Sequence, residues 1–385
     1  RADGRQRAAL IAAAALATAN HFVAIGRTAR IDVPLTCAVA LALLAFYSGA
    51  GGSRRARAWF LLSALAAGFA VLLKGPVALA LIGPVAVAFL LVERFAAEPG
   101  ARPVLPLWSA ALGVLVVAAV AAPWFVWAQH ATEGAFARVF FWHHNVARFA
   151  GTAEELATHP WWYYGPRFAL AFLPGTVPLV PLTAWAVRSG AWREDRLLRF
   201  GLVWAAVMVA VLSAARFKRA DYLLPAFPGA ALALACAADR WCDSRANPRS
   251  ASLGKWGFAL LCAGGVAVWP VMWAAVEPAE ADRHEKRPFA AAIRAAAPKP
   301  ETVLLFRTES HLLAYHLGAP LHTLVEWGEL KDALAQPGSR VVVMPPEYAA
   351  DAERVTGRAL VPIAALADLT AVRPHRPLVC LRTRD

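Results

Sequence analysis

The chain has 385 residues, of which 59% are hydrophobic and only 17% are charged, and it carries a formal charge of +13. Soluble globular domains have about a quarter of their residues charged, so this composition excludes an ordinary soluble protein as well as a disordered one. The five cysteines lack metal-type spacing and predict neither a zinc site nor a disulfide framework.

Nine apolar stretches come close to the length of about 20 residues that a membrane-spanning helix needs. They cover residues 8–26, 34–47, 58–73, 76–92, 104–129, 161–187, 197–214, 222–238 and 255–276. The sequence Lys74-Gly75-Pro76 between the third and fourth stretches predicts either a tight hairpin or a kink within one long helix. A kink would reduce the count to eight spans.

Basic residues are unevenly distributed among the segments that connect these stretches. Segments 1–7, 48–57, 93–103, 188–196 with Arg199, and 239–255 hold 16 Lys and Arg, whereas 27–33, Lys74, 130–160 and 215–221 hold 8. Cytoplasmic loops are enriched in Lys and Arg. The first set is therefore predicted to be cytoplasmic, and the second set and the C-terminal region to lie outside. Because the excess charge lies in loops between apolar stretches, it indicates membrane topology and no nucleic-acid partner.

The C-terminal region has a different character. Residues 277–385 hold 14 basic and 14 acidic residues, and β-rich runs at 303–306, 322–325, 341–344 and 378–381 alternate with helix-like segments at 288–297, 327–335 and 347–357. Such alternation predicts a small α/β domain with a mainly parallel sheet. The fold class is therefore mainly α: a polytopic transmembrane helical bundle (1–276) followed by a small extracytoplasmic α/β domain (277–385). No Gly-rich phosphate loop follows these strands, so no nucleotide cofactor is expected, and a packing or lid role is favoured.

The predicted external segments carry the chain's candidate chemistry. They contain Arg27, Arg30 and Asp32; Lys74; the run from Phe140 to Phe149 and that from His159 to Tyr164; and the run from Arg216 to Pro225. Ionisable groups at a membrane boundary are costly to desolvate and are commonly functional, and cations there suit a lipid-linked phosphate. Other interpretations stay open: an interfacial belt for the aromatic residues, snorkelling for the arginines, and ion pairs for Asp32 with Arg30 or Arg27 and for Asp221 with Lys218 or Arg219.

Five motifs occur here in an order that resembles a known family. They are Arg30-Ile31-Asp32-Val33-Pro34-Leu35-Thr36, Lys74-Gly75-Pro76, His144-Asn145-Val146-Ala147-Arg148-Phe149, His159-Pro160-Trp161-Trp162-Tyr163-Tyr164, and Lys218 to Pro225. The chain is similar to the integral-membrane GT-C glycosyltransferases of the aminoarabinose transferase and protein O-mannosyltransferase type. The resemblance implies transfer of a sugar, 4-amino-4-deoxy-L-arabinose or a hexose, from a polyprenyl-phosphate donor. It further implies an acceptor such as lipid A, protein or another glycan, and a location in the bacterial inner membrane with the α/β domain in the periplasm.

The resemblance also assigns roles to residues. Asp32 matches the family's second acidic position and is the candidate catalytic carboxylate. The donor-phosphate contacts match Lys74, Arg148, Lys218 and Arg219, and the residues that match the substrate cavity are Asn145 and Tyr222. One of His143 and His144 matches a histidine at a metal or phosphate site, so a divalent metal ion is a further expectation.

One departure from the family pattern concerns the start of the chain. Family members carry an acidic pair in a first external loop, thought to supply the key carboxylate, and this loop is expected to precede Arg1 in a longer protein.

Two other functions stay open. A transporter or flippase for lipid-linked sugars would require internal repeats and polar groups at mid-membrane. A truncated, non-catalytic membrane scaffold would fit the missing first loop.

Overall fold

The chain forms two compact units, Arg1–Val268 and Trp269–Asp385. The computed structural model describes residues 5–28, 30–52, 54–96, 107–134, 136, 137, 140, 159–244, 248–276, 278, 286–297, 303–308, 310–318, 321–336, 340–366 and 377–383. The change of composition after residue 276 falls shortly after the division between the units.

The first unit is built of helices. They are α1 Gln6–Thr18, α2 Asn20–Gly26, α3 Asp32–Gly49, α4 Ala56–Lys74, α5 Val77–Ala96, α6 Leu107–Ala131, α7 Tyr164–Ala171, α8 Thr176–Arg188, α9 Ala191–Glu194, α10 Arg196–Ala214, α11 Phe227–Asp243 and α12 Pro248–Val271. A 3₁₀ turn at Trp161–Tyr163 precedes α7, and a 3₁₀ segment at Ala220–Ala226 precedes α11.

The described helices make the chain a multi-pass membrane protein. Six segments are long and apolar enough to cross a membrane: Asp32–Gly49, Ala56–Lys74, Val77–Ala96, Trp108–Ala131, Arg196–Ala214 and Ala220–Asp243. Two further candidates are bent pairs, with an angle of 63° between α1 and α2 and of 111° between the Trp161–Ala171 segment and α8. The described residues thus support six to eight spans rather than nine. The predicted span 255–276 falls on α12 and the π-helical turn Met272–Val276 that follows it, and the apolar part found there among the described residues, Ala263–Ala275, is shorter than a span.

The hairpin interpretation of Lys74-Gly75-Pro76 agrees with the structure. Gly75 adopts a φ of 76°, a conformation that side-chain-bearing residues rarely take, and α4 ends there. Since α5 begins at Val77 and is itself long enough to span, the two stretches are separate helices.

Close contact between α10 and α11 positions the segment before α11. A Cβ atom on Gly201 would lie 2.6 Å from the backbone nitrogen of Ala233, and one on Gly229 would lie 2.6 Å from Cγ of Trp204. Such small residues let membrane helices approach closely. The indole Nε1 of Trp204 donates a 2.8 Å hydrogen bond to the carbonyl of Pro225, which fixes the 3₁₀ segment against α10.

A cluster of ion pairs, here called the closed end, joins one set of helix ends. Glu93 is fully buried and accepts hydrogen bonds from Arg199, Nε to Oε1 at 2.5 Å and Nη2 to Oε2 at 3.1 Å. Asp195 caps α10 by accepting from the backbone nitrogens of Leu197 and Leu198. The same carboxylate pairs with Arg5 at 3.2 Å and with Arg240 at 3.3 Å. Four of the five predicted cytoplasmic segments therefore meet at this end of the unit.

The second unit is a five-stranded sheet covered by helices. Its strands are β1 Val303–Phe306, β2 Leu321–Leu324, β3 Val341–Met344, β4 Leu360–Leu366 and β5 Leu378–Thr383, in the order β2-β1-β3-β5-β4. Its helices are α13 Arg287–Ala296, α14 His311–Leu317, α15 Trp327–Ala335 and α16 Ala349–Thr356. The strands β2, β1 and β3 are parallel, whereas β5 is antiparallel to both β3 and β4.

Alternating side chains of β1 serve two apolar cores. Val303 and Leu305 pack with residues of α13 and α14, whereas Leu304 and Phe306 pack with residues of α15 and α16. Because successive strand residues point to opposite faces, α14 lies on one face of the sheet and α15 and α16 on the other. The second unit is therefore a three-layer α/β arrangement, whereas its extracytoplasmic location stays a prediction.

Candidate functional site

Asp32 and Lys74 face each other at the ends of two neighbouring helices. Asp32 is the first residue of α3 and Lys74 is the last of α4, an arrangement in which both charges are favourable toward the helix dipoles. Lys74 Nζ lies 2.5 Å from Asp32 Oδ1, and both side chains are largely buried. The ion pair that the sequence left open for Asp32, with Arg30 or Arg27, is thus made with Lys74, 42 positions away.

Tyr222 completes this contact from a third element. It lies in the 3₁₀ segment Ala220–Ala226, and Lys74 Nζ is 4.2 Å from the centre of its ring. A cation at this distance from an aromatic face is attracted by the electron-rich ring. Lys74 is therefore held between a carboxylate and an aromatic ring, and its position is well defined.

These three side chains line a cavity of about 380 Å³. The walls are mainly apolar and are formed by Ile31, Asp32, Leu35, Leu73, Lys74, Val77, Ala80, Leu81, Phe140, Tyr164, Val211, Leu212, Ala215, Phe217, Tyr222 and Pro225. All four predicted external segments contribute to this lining. Mainly apolar walls with a few convergent polar groups are typical of a small-molecule site.

A second charged cluster adjoins the cavity lining. Asp221 Oδ2 accepts hydrogen bonds from Arg30 Nη1 and, at 3.0 Å, from Arg219 Nη2. His21 Nε2 lies 3.3 Å from the other carboxylate oxygen. The side chains of Arg30 and Arg219 are 41% and 48% exposed, whereas that of Asp221 is 12% exposed. A mostly buried carboxylate thus holds two guanidinium groups beside Ile31 and Tyr222, with donors left for a further anion.

Lys218, unlike Lys74 and Arg219, is bonded to backbone carbonyls rather than to a carboxylate. Its Nζ donates hydrogen bonds to the carbonyls of Ala215 and, at 3.0 Å, of His159. The side chain is buried and is not among the described residues that line the cavity. Burial lowers the pKa of Lys218, because the charged ammonium loses hydration. Lys218 therefore ties the segment before the Trp161–Tyr163 turn to the end of α10.

Four predicted site residues lie outside the described part of the chain. Arg148, Asn145, His143 and His144 all fall in the range 141–158. Within the described ranges, no group of three or more His, Cys, Asp or Glu side chains could hold a metal ion. The metal site and the Arg148 contact therefore stay predictions.

Sequence reasoning missed two contributors to this region. Tyr164 was interpreted as part of an aromatic belt, yet it is fully buried, lines the cavity and accepts a hydrogen bond from the backbone nitrogen of Arg219 at 3.2 Å. Arg30 was named as an ionisable residue of the first external segment and as an ion-pair partner of Asp32, but it was not assigned to the donor phosphate. Its place in the same motif as Asp32 was the available signal. Trp161 and Trp162, by contrast, are 77% and 56% exposed, as residues of a belt would be.

Comparisons with known proteins agree with the motif-based resemblance. Residues 4–127 match the family model described as dolichyl-phosphate-mannose-protein mannosyltransferase. The undecaprenyl phosphate-alpha-4-amino-4-deoxy-L-arabinose arabinosyl transferase of Pseudomonas paraeruginosa is 37% identical over 202 residues, 51% of this chain and 34% of that protein. The enzyme of the same name from Aeromonas salmonicida is 33% identical over 220 residues, 56% of this chain and 38% of that protein. The matched part thus spans little more than a third of these relatives.

Solved structures show the same fold. The crystal structure of ArnT from Cupriavidus metallidurans bound to undecaprenyl phosphate has a TM-score of 0.69 with 21% identity, and the alignment covers 98% of this chain and 79% of that one. The apo structure of the same protein gives a TM-score of 0.70 with 20% identity over 98% and 78%. The resemblance to GT-C glycosyltransferases of the aminoarabinose and mannosyl transferase type is therefore confirmed, and the chain has the ArnT-like fold.

Proposed function

We propose that this chain forms the donor-binding part of a membrane glycosyltransferase that moves a sugar from a polyprenyl phosphate to an extracytoplasmic acceptor. The observation that carries this proposal is that all four predicted external segments project side chains into one cavity. Its mainly apolar walls suit an isoprenoid chain, and Lys74 supplies a cation for the phosphate. The names of the relatives and the undecaprenyl phosphate in the related crystal structure support the same donor class.

Two groups of cations are available to the donor phosphate in this proposal. Lys74 lies in the cavity, while Arg30 and Arg219 lie beside it, held by Asp221. When the glycosidic bond breaks, negative charge grows on the leaving phosphate, and positioned cations stabilise that charge. The fork of guanidinium donors suits phosphate oxygens better than a single ammonium does. Arg148 is a further proposed contact.

Lys218 does not have the geometry of a phosphate ligand in the arrangement described. Its ammonium is already bonded to two backbone carbonyls. We assign it a positioning role at the end of α10, and we assign the phosphate contact to Arg219 instead. Asn145 and Tyr222 are proposed to contact the substrate; Tyr222 lines the cavity and also contacts Lys74.

The reaction we propose is a direct displacement at the anomeric carbon. The bond from that carbon to the donor phosphate oxygen breaks, a bond to an acceptor oxygen forms, and the polyprenyl phosphate leaves. In this proposal Asp32 orients the acceptor once the donor phosphate shares Lys74 with it, and it takes the proton of a hydroxyl acceptor. A phosphate acceptor attacks as an anion and has no proton to lose. Backside attack of this kind inverts the anomeric centre.

The sugar, the acceptor and the location are further parts of the proposal. The names of the relatives favour 4-amino-4-deoxy-L-arabinose, and the family model favours a hexose such as mannose. Lipid A, a protein or another glycan would be the acceptor, at the outer face of a bacterial inner membrane. The second unit would then be periplasmic. A divalent ion near His143 or His144 takes no part in the steps above.

The proposal is tested by binding of undecaprenyl phosphate to the purified chain in detergent or nanodiscs. We expect Lys74→Gln to weaken binding about tenfold or more, because a charge-assisted hydrogen bond contributes roughly 1.5–3 kcal/mol. Native mass spectrometry or microscale thermophoresis would supply the affinity. Undecaprenol, which has no phosphate, should bind the wild type and the variant equally.

Arg193→Gln is the matched control. It removes the same charge from an exposed position on α9, away from the cavity. Its affinity for undecaprenyl phosphate should equal that of the wild type. Equal losses in the two variants, or none in Lys74→Gln, would refute the role of Lys74.

A further inference from the structure

Arg307, the residue that follows β1 in the second unit, has an unusual backbone. Its φ is 50°, in the left-handed region that residues other than Gly, Asn and Asp rarely adopt. Its backbone nitrogen donates to the carbonyl of Leu324 at 2.9 Å, and its Nε donates to that of Val325 at 3.0 Å. The end of β2 thus holds Arg307 in a conformation that costs free energy. Such strain is concentrated at functional sites.

Three aromatic rings surround the guanidinium of Arg307. Its Cζ lies 5.3 Å from the ring centre of Phe306, 5.1 Å from that of Trp327 and 5.2 Å from that of Tyr348. The rings also contact one another, with Phe306 and Trp327 centred 4.6 Å apart. They come from the end of β1, the start of α15 and the turn after β3. Cation–π contacts from several directions fix the orientation of the guanidinium.

The position of Arg307 in the sheet is where α/β folds bind ligands. Chain segments leave the carboxyl ends of the neighbouring parallel strands β1 and β3 toward opposite faces, because α14 packs on one face and α16 on the other. This divergence opens a crevice at the carboxyl ends of the two strands. Arg307 follows β1 and Tyr348 follows β3, so both lie at the crevice.

The charge of Arg307 is not neutralised within the described part of the second unit. No ion pair joins it to a carboxylate there, and the hydrogen bond that its side chain makes uses Nε. The residue is half-buried. A partly desolvated guanidinium that no carboxylate of the described residues neutralises favours binding of an anion, and its two terminal nitrogens present the fork that matches two oxygens of one oxyanion.

We propose that Arg307, with Phe306, Trp327 and Tyr348, forms a second anion-binding site in the crevice between β1 and β3. The ligand class is a phosphate monoester, whose charge of about −1.5 to −2 at pH 7 offsets the guanidinium more fully than a carboxylate does. The absence of a Gly-rich loop after β1 argues against a nucleotide. Phosphorylated sugars and phosphorylated lipid headgroups both carry this group. The residues of this site belong to the second unit, whereas those that line the cavity of the proposed glycosyl transfer belong to the first.

Phosphorus-31 NMR on the full chain in detergent tests the proposal. Glucose 1-phosphate represents a free sugar phosphate, and short-chain dihexanoyl phosphatidate represents a lipid headgroup. Binding to the large protein–detergent particle should broaden the phosphorus resonance of at least one probe. The probe that is broadened shows whether the site binds a free sugar phosphate or a phosphorylated lipid headgroup. Acetate at the same concentration should not reverse the broadening.

Three variants separate anion binding from packing. Arg307→Gln should reduce the affinity about tenfold, as expected for loss of a charge-assisted pair of hydrogen bonds. Arg307→Lys keeps the charge and can cover the rings but lacks the fork of donors, so its affinity should lie between those of the wild type and Arg307→Gln. Arg354→Gln, an exposed arginine on α16, should behave as the wild type. Unchanged broadening in Arg307→Gln, equal loss in Arg354→Gln, or reversal by acetate would overturn the proposal.

Discussion

The two ends of the membrane-embedded unit use the same types of charged residue for different purposes. At the closed end, Glu93 and Asp195 are buried and bonded to arginines and to a helix terminus, and these contacts fix α5, α10 and α11. At the cavity end, Asp32 and Asp221 hold cations beside an open volume of about 380 Å³. An ion pair at a membrane boundary therefore does not by itself indicate a functional site. What distinguishes the cavity end is that its cations keep hydrogen-bond donors available next to a cavity.

The largest expected effect is at the closed end. Glu93→Gln leaves Arg199 buried without its counter-ion, and breaking a buried pair in this way costs about 3–5 kcal/mol. Thermal unfolding in detergent should show a large drop in the midpoint. Lys74→Gln should cost less, because the side chains of Lys74 and Asp32 are 21% and 11% exposed, against 6% and 0% for Arg199 and Glu93, so the unpaired carboxylate keeps more of its hydration. A larger drop for Lys74→Gln than for Glu93→Gln would contradict the division between a structural and a functional end.

A smaller effect is expected in the helix pair that connects the two ends. Gly201→Ala places a methyl group 2.6 Å from the backbone of α11, and overpacking of this kind costs about 1–3 kcal/mol. Because α10 also lines the cavity through Val211 and Leu212, binding of undecaprenyl phosphate should weaken as well. Gly83→Ala is the control, since nothing lies within 4 Å of the added methyl. It should leave the unfolding midpoint unchanged or slightly raised. Equal effects of the two substitutions would argue against close contact of α10 and α11.

The smallest effect concerns the pH dependence of the closed end. Burial alone would raise the pKa of Asp195, but the hydrogen bond from the Leu198 nitrogen and the pairs with Arg5 and Arg240 outweigh it and lower that pKa below its ordinary value of 3.8. A carboxylate with a lowered pKa contributes stability above its ordinary pKa and loses it as the pH falls through the folded-state value. The free energy of unfolding of the wild type should therefore decline below about pH 3.8. In Asp195→Asn, which can still cap α10, the free energy of unfolding should decline less over the same pH range. Parallel curves for both proteins would exclude this contribution.

Much of the second unit could be predicted from the sequence, because its strands are short apolar runs between polar turns. The predicted runs at 303–306 and 341–344 have the same first and last residues as β1 and β3, and the run at 378–381 lies within β5. The strand β4 was missed because Pro362 interrupts it at an irregularity in the pairing with β5. The prediction of a mainly parallel sheet holds for β2, β1 and β3 only.

Prediction was less complete in the membrane unit because hydropathy does not reveal a bend. The first and sixth predicted stretches, 8–26 and 161–187, are each broken into two helices, and the stretch 255–276 contains a shorter apolar helix, so the described residues support six to eight spans. Asp32, Lys74 and Tyr222, which the motifs named, line the cavity, and Arg219 lies beside it. Their pairing could not be inferred from the sequence. Asp32 pairs with Lys74, rather than with an arginine closer to it in sequence, because the packing of α3 against α4 brings the two side chains together. The same reason applies to Lys218, whose carbonyl partners are supplied by tertiary structure.

An isoprenoid phosphate is proposed to occupy the cavity that all four predicted external segments line. This proposal can be tested by photo-crosslinking with a diazirine-bearing undecaprenyl phosphate, followed by peptide mass spectrometry. We expect labels at the lining residues Leu73, Leu81, Val211 and Leu212, and we expect them to disappear when unmodified undecaprenyl phosphate competes. Labels on the exposed face of α6, at Val114 and Leu115, that persist under competition would contradict it.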